Sequence, residues 1–186
     1  MFAIHHTSKE RGLPCYTKVM EYNILITGKP GCGKSTLIHK LIRGKKFGGI
    51  ATPDVRKGKT RFGFKVVDLK TGKEGILASV EIKPAVVSKY GVDVAGFEQI
   101  AIPAIEDAIE KTDLVVIDEI GKMECFSKKF KEVTERALDA KKVLASISLK
   151  SQDSFILKIK RRSDCRLFYL TKETFDHVYR EVLKEM

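Results

Sequence analysis

The sequence predicts an α/β protein of three layers, a mainly parallel sheet between helices with antiparallel hairpin strands added to it. Three observations predict this. Short apolar, β-branched runs alternate with segments of helical spacing along most of the 186 residues, an order that produces a doubly wound sheet. The first apolar run leads through a glycine-rich turn straight into a helical pattern, residues 21–41 (EYNILITGKPGCGKSTLIHKL). Strand-like runs at residues 61–69 and 75–81 are joined by the turn KTGKE, a hairpin signature with Gly72 in the turn. A hairpin within a β/α alternation implies antiparallel strands beside parallel ones.

Taken in order, Ile24, Leu25 and Ile26 form a buried-strand run, and a helix opens near Lys34 and extends through Leu41. Residues 47–51 (FGGIA) read as a short strand followed by the turn-prone Thr52-Pro53-Asp54. After the hairpin, residues 96–111 carry Phe97, Ile100, Ala101, Ala104, Ile105, Ala108 and Ile109 at helical spacing. Pro103 falls inside that pattern and should kink the helix or mark its first turn. Residues 113–118 (DLVVID) are a continuous apolar run typical of a central parallel strand. Ser127 can cap a helix through Ala140 whose inner face holds Phe130, Val133, Ala137 and Leu138. Residues 142–147 read as a strand, 153–162 as a basic helix, 165–170 as a strand and 172–184 as a closing helix.

The turn after the first strand carries chemistry. Gly28, Lys29, Pro30, Gly31, Cys32, Gly33, Lys34 and Ser35 satisfy G-x-x-x-x-G-K-[ST] with a strand before and a helix after, the context of a phosphate-binding loop. A phosphate chain needs many donors converging without side chains in the way. Glycines allow that close approach, and the helix start adds unsatisfied N–H groups and the positive end of its dipole. Lys34 should reach the β- and γ-phosphates, and the Ser35 hydroxyl is placed to coordinate Mg²⁺. Thr36 extends the same first turn, and Cys32 serves as a small spacer.

The second half of the site is the run from Leu114 to Ile117, which ends in Asp118 and Glu119. Ligands of open α/β sheets bind at the carboxyl edge of the strands, where the phosphate loop also emerges. The two halves are expected to meet from the ends of neighbouring strands. Asp118 then suits Mg²⁺, through water, and Glu119 suits the orientation and deprotonation of an attacking water. Asp118-Glu119-Ile120-Gly121 also matches the D-x-x-G of regulatory GTPases. The guanine-reading N-K-x-D that should accompany it has only Thr171-Lys172-Glu173-Thr174 as a counterpart, without the terminal Asp. Guanine specificity is therefore unsupported.

Composition bounds the rest. The chain is 43% hydrophobic and 32% charged, values of a globular protein, and no run is long and apolar enough to span a bilayer. Lys+Arg exceed Asp+Glu by 35 − 24 = 11, which favours anionic partners. Nucleic acid is one such partner by charge alone, but no RNA-binding signature supports it. The absence of Trp and a Lys/Glu-rich surface fit a heat-tolerant source. Cys15, Cys32, Cys125 and Cys165 form no C-x-x-C pair, so neither a zinc site nor a disulfide framework is expected, and the cytoplasm is the expected compartment. Residues 1–19, with His5 and His6, show no apolar periodicity; they are expected to be an extension of a single domain spanning 20–186.

Residues 116–124 (VIDEIGKME), taken with GKPGCGKST, TPDVRKG, RFGFKVVDL and KYGVDV, resemble the nucleoside-triphosphatase family first described in thermophiles, whose animal member is the cancer-related NTPase. The similarity covers Met20 to the C-terminus. It implies a P-loop NTPase fold and Mg²⁺-dependent hydrolysis of ATP, GTP, CTP and UTP to the diphosphate and phosphate, with loose base preference. It also maps nucleotide contacts onto the loop residues above and onto Val115, Val116, Ile117, Asp118, Glu119, Ile120, Gly121 and Lys122. Lys34, Asp118 and Glu119 are then the catalytic set, with Ser35 and Asp118 on the metal.

Arg56, Lys122, Arg161 and Arg162 are candidate transition-state cations, since an added positive charge near a transferring phosphoryl group accelerates the reaction. Tyr90 and Phe64 are candidates for stacking on a base, though strand aromatics are more often core. Two other functions stay open: a nucleotide or small-molecule kinase with a basic lid at residues 158–162, and an RNA-associated nucleotide-binding module. A monomer is expected. Deleting residues 1–19 should leave folding and NTP turnover unchanged, measured by thermal melting and phosphate release; loss of either would show that the segment belongs to the domain.

Overall fold

Period-two alternation divides each central strand between two cores. The computed structural model describes residues 20–140 and 142–186. In chain order its elements are β1 (Asn23–Thr27), α1 (Lys34–Leu41), β2 (Phe47–Ala51), β3 (Asp54–Lys57), β4 (Thr60–Asp68), β5 (Glu74–Ser79), β6 (Gly91–Val92), α2 (Val94–Lys111), β7 (Leu114–Ile120), α3 (Lys128–Asp139), β8 (Val143–Ile147), α4 (Ser154–Lys160), β9 (Cys165–Tyr169) and α5 (Phe175–Glu185). Ile24, Ile26, Leu114, Val116 and Leu144 pack with Leu37 and Ile38 of α1 and Val178 and Val182 of α5. Their neighbours Leu25, Val115, Ile117, Val143 and Ala145 face the other way, against α2, α3 and α4. Every residue of β1 and β8 is buried, as a strand covered on both faces requires. Each fully buried Ile or Leu contributes about 1.5–3 kcal/mol.

The sheet order is β6-β5-β4-β2-β7-β8-β1-β9, with β3 added to β4. β2, β7, β8, β1 and β9 are parallel, and the antiparallel strands β4, β5 and β6 extend one side, as the hairpin signature predicts. Asn23 fixes the register at the buried start of β1. Its amide donates to Leu138 O at the end of α3 (2.9 Å) and accepts from Val143 N at the start of β8 (3.1 Å). At the other end Thr27 Oγ1 donates to Ile147 O at 2.9 Å. The two ends of β1 are thereby tied to the two ends of β8.

Four expectations change. β1 and β7 are not neighbours, because β8 lies between them and pairs with both. Asp54 does not belong to a turn but opens β3, which pairs with β4 around Gly58; Asp54, Arg56 and Lys57 are all exposed, so no hydrophobic alternation marks that strand. α2 starts two residues early, at Val94, because the Asp93 side chain accepts from Gly96 N at 2.8 Å and caps it. Pro103 therefore lies well inside the helix and not in its first turn, and forgoes only the bond to the Gln99 carbonyl. Residues 1–19, with Cys15, lie outside the described residues, and among those described no helix is long and apolar enough to cross a membrane.

Asn23→Ala leaves Leu138 O and Val143 N buried without their partner. It should lower the unfolding free energy by about 2–4 kcal/mol in urea titration, since each stranded buried group costs about 1–3 kcal/mol.

Candidate functional site

The phosphate loop begins where Thr27 ends β1. Gly31 and Gly33 take positive φ of 74° and 105°, which turns the chain without a Cβ penalty. Gly33 is the N-cap of α1 and offers no side chain to its first turn, which also holds no acid. The first-turn N–H groups of Lys34, Ser35 and Thr36 have no intrahelical acceptor and point out of the helix start, a site suited to an anion. Lys34 folds back so that its ammonium donates to Gly28 O at 3.3 Å. Ser35 and Thr36 are exposed, as are Lys29, Pro30 and Gly31, while Cys32 is buried beneath the loop.

β7 delivers the acids at the same sheet edge. Ala51 of β2 pairs with Asp118 on one side. On the other side Ser146 of β8, itself completely buried, donates its hydroxyl proton to Asp118 Oδ1. Glu119 is partly buried in the wall of a cleft of about 500 Å³ lined by Gly28, Lys29, Pro30, Lys34, Glu119, Ser148, Leu149 and Lys150. Burial raises its carboxyl above the ordinary glutamate range; Lys34 and Lys160 oppose that shift and Asp118 adds to it. Lys160, the last residue of α4, grips the far wall through Ser148 O (2.5 Å) and Leu149 O (3.0 Å). Burial lowers its pKa, and the charge of Glu119 works against the lowering. The charges of Lys34 and Lys160 thus both act on Glu119.

Ser146 and Lys160 are the contributions that motif reading passes over. A single hydroxyl in the apolar run KVLASI is the signal for the first. For the second, the basic helix is legible but its inward-facing member is not. The other cations are placed differently. Arg162 is forked onto Asp164 (2.8 and 2.7 Å) and reaches Asp139 (2.7 Å), and these partners raise its pKa, the Asp164 bond most. Arg161 caps the end of α4 in the solvent-exposed groove it shares with Lys158 and Arg162. Arg56 pairs with Asp54 at 2.9 Å on β3. Lys122 is exposed in the turn after β7.

Val115, Val116 and Ile117, which lead up to the acids, and Ile120, which follows them, have fully buried side chains. Gly121 is buried as well. Tyr90 is buried and meets Phe64 edge-to-face at 5.4 Å, a core pair. Thr171, Lys172 and Glu173 face the phosphate loop across a second cleft of about 310 Å³, which also holds Lys29, Pro30, Cys32 and Tyr169. Thr171 and Thr174 spend their hydroxyls on one another's backbone N–H groups, at 3.2 and 3.0 Å.

With that geometry in place, comparison with known proteins settles the lineage. The model of the family described as NTPase matches residues 23–183. The chain belongs to the NTPase family. It is 43% identical over 162 residues to the nucleoside-triphosphatase THEP1 of Thermotoga maritima, covering 86% of this chain and 92% of that one. It is 42% identical over 166 residues to THEP1 of Methanothermobacter thermautotrophicus, covering 86% and 93%. The crystal structure of THEP1 from Aquifex aeolicus superposes with a TM-score of 0.78 at 34% identity over 87% of this chain and 97% of that one. The solution structure of a human cancer-related nucleoside triphosphatase superposes with 0.73, at 34% identity over 88% and 96%.

The NTPase-family string DEIGKME ends in Glu124, which is buried in a short 3-10 turn (Glu124–Phe126) and pushed up to about 7. Burial is the main cause and the charge of Glu119 the next; hydrogen bonds from its own N–H, Thr52 and the Gly121 N–H pull the other way. The folded chain therefore binds this proton more tightly than the unfolded chain, whose ordinary value is 4.5. Its contribution to stability is present below about pH 4.5 and is lost as pH rises through about 7. Glu124→Gln removes that dependence. The melting temperature of the variant relative to the parent should rise by several degrees between pH 5 and pH 8, measured by scanning calorimetry.

Proposed function

We propose that this chain hydrolyses nucleoside triphosphates to the diphosphate and phosphate at the cleft between the phosphate loop and β7, with Glu119 as general base. One observation carries the reading: the cleft joins the start of the phosphate loop at Gly28, Lys29 and Pro30, the side chain of Lys34 and a single lining carboxylate, Glu119. The outward N–H groups of the loop and of the α1 start receive the α- and β-phosphate oxygens. Lys34 leaves Gly28 O to reach the β- and γ-phosphates. Glu119 orients a water and takes its proton as the water oxygen bonds to the γ-phosphorus and the bond to the bridging oxygen breaks. The electron pair of that bond stays on the departing diphosphate, so water and triphosphate account for both products. Lys34 and Lys160 flank the carboxylate and keep it available as a base, while positioning and charge supply most of the rate enhancement.

The residues present suit Mg²⁺. Asp118 has one oxygen engaged by Ser146, and among the described residues no Lys or Arg is ion-paired to it. Ser35 offers an exposed hydroxyl at the α1 start. Both donors are hard oxygens. Among the described residues no cluster of three or more His, Cys, Asp or Glu could hold a metal by itself. That fits an ion that shares its shell with substrate phosphates and water. Bound by Ser35 and Asp118, Mg²⁺ would neutralise charge on the β- and γ-oxygens.

Loose base preference belongs to the same proposal, and the residue that ends the Thr171–Thr174 stretch supports it. In the position where a guanine reader needs a carboxylate, Thr174 has a hydroxyl already committed to the Thr171 backbone. ATP, GTP, CTP and UTP should then turn over at similar rates.

Lys34→Ala should abolish tight NTP binding and turnover together. Glu119→Gln should bind NTP as the parent does and lower kcat by roughly 10²–10⁴-fold, the usual range for a general base. Phosphate release with Mg²⁺ and fluorescent-nucleotide titration measure the two effects. A Glu119→Gln enzyme with unchanged kcat would remove the base assignment.

A further inference from the structure

Two side chains behind Glu119 take no part in the chemistry just described. Thr52 is the first residue beyond β2, and its N–H donates to Asp118 O at 2.5 Å. Its hydroxyl accepts from the Glu119 N–H at 3.1 Å and lies 2.8 Å from Glu124 Oε1 and 3.2 Å from Asp118 O. A hydroxyl has one proton and two lone pairs. When the proton goes to the nearer acceptor, Glu124, the lone pairs face the Glu119 N–H. The backbone of the base is then held from the β2 side by a hydroxyl whose own direction is set by a buried carboxyl.

The Glu124 carboxyl is built into its place. The other oxygen, Oε2, lies where a Cβ on Gly121 would approach to 2.7 Å, so glycine at 121 is what lets the carboxyl fold back under the turn. Among the described residues no lysine or arginine is ion-paired to it, and the charged group acting on it is Glu119. An unpaired carboxyl in a buried place costs stability whenever it ionises. Packing alone therefore gives no reason for an acid here.

We propose that Thr52 and Glu124 are positioning residues for the reaction, a hydrogen-bonded pair that fixes the backbone of Glu119 and so aims its carboxylate into the cleft. The pair works with Glu124 in either state, because a protonated carboxyl donates to the Thr52 hydroxyl, which then donates to Asp118 O and still accepts from the Glu119 N–H. What the device needs is a polar partner at position 124 and a hydroxyl at 52. A negative charge at 124 is not required.

The inference rests on Glu119 as base, and the test separates the two. Thr52→Val keeps the shape and removes the hydroxyl. It should lower kcat about tenfold or more with KM within about twofold, and Thr52→Ser should restore the parent rate. Glu124→Met, of similar volume without an acceptor, should lower kcat in the same way, and Glu124→Gln should keep most of it. The deciding comparison places Thr52→Val in the Glu119→Gln background. Residues that act through the Glu119 side chain lose their effect once it cannot act as a base, so the double variant should be no slower than Glu119→Gln alone. If Thr52→Val slows the Glu119→Gln enzyme as much as it slows the parent, the pair is a structural prop and the proposal falls. If Thr52→Val and Glu124→Met both turn over at the parent rate while Glu119→Gln is slow, this proposal falls and the base assignment stands. If Glu119→Gln is itself fully active, the base assignment falls and takes this inference with it. Should Thr52→Val fail to fold, Glu124→Met against Glu124→Gln decides the same question from the other partner.

Discussion

Parallel pairing of β8 with β1 on one side and β7 on the other sets the span over which a triphosphate can be held. The two flanking strands do not pair with each other. The glycine turn and the acids are therefore two strand widths apart, about 10 Å at the usual spacing between strands, room for a γ-phosphate, a water and a carboxylate side by side. β8 lies between the two. It supplies registration through Thr27 to Ile147 O at the loop end and through Ser146 to Asp118 at the acid end. Were the two strands adjacent, Lys34 and Glu119 would meet directly and form an ion pair that leaves no place for substrate.

That intervening strand marks the boundary of what the letters reveal. A glycine turn with Lys and Ser at fixed offsets has a strong local signature, because the backbone shape and the phosphate contacts come from one continuous stretch. The DE pair after an apolar run is nearly as legible. Which strand lies beside which is a long-range property, and β1, β7 and β8 have the same pattern of continuous apolar residues, so periodicity cannot order them. β3 is invisible for another reason. It lies away from both cores and gains its place from ladder bonds to β4 and from Arg56 and Arg61 converging on Asp54, none of which imposes an apolar alternation.

The cations show the same limit. Arg161, Arg162 and Lys160 follow one another in the sequence and look alike as charges. Geometry separates them: α4 ends with Lys160 turned toward Ser148, Leu149 and Glu119, whereas Arg162 is spent on Asp139 and Asp164. Helical rotation of about 100° per residue is enough to send adjacent side chains to different partners. A basic run thus says little about which member faces a site.

The formal excess of 11 positive charges is accordingly a poor guide to affinity for phosphate. Many of the surface cations are matched by a nearby acid, as Lys70 and Lys111 are by Asp107, Lys158 by Glu135 and Arg136 by Glu106. Such exposed pairs are each worth about 0–1 kcal/mol and are screened by salt. The field in the cleft comes from fewer sources: the cations Lys29, Lys34, Lys150 and Lys160 with the uncapped start of α1, and the acids Asp118 and Glu119. Lys34, Lys160, Asp118 and Glu119 are partly desolvated, so each acts at a lower effective dielectric than a surface lysine and over a shorter distance. On the proposed reading, a triphosphate entering the cleft replaces Gly28 O as the partner of Lys34, and Glu119 is left facing the water. On that reading selectivity for a charged, extended phosphate chain would reside in the cleft itself, and the surrounding basic surface would add attraction at long range without choosing the ligand.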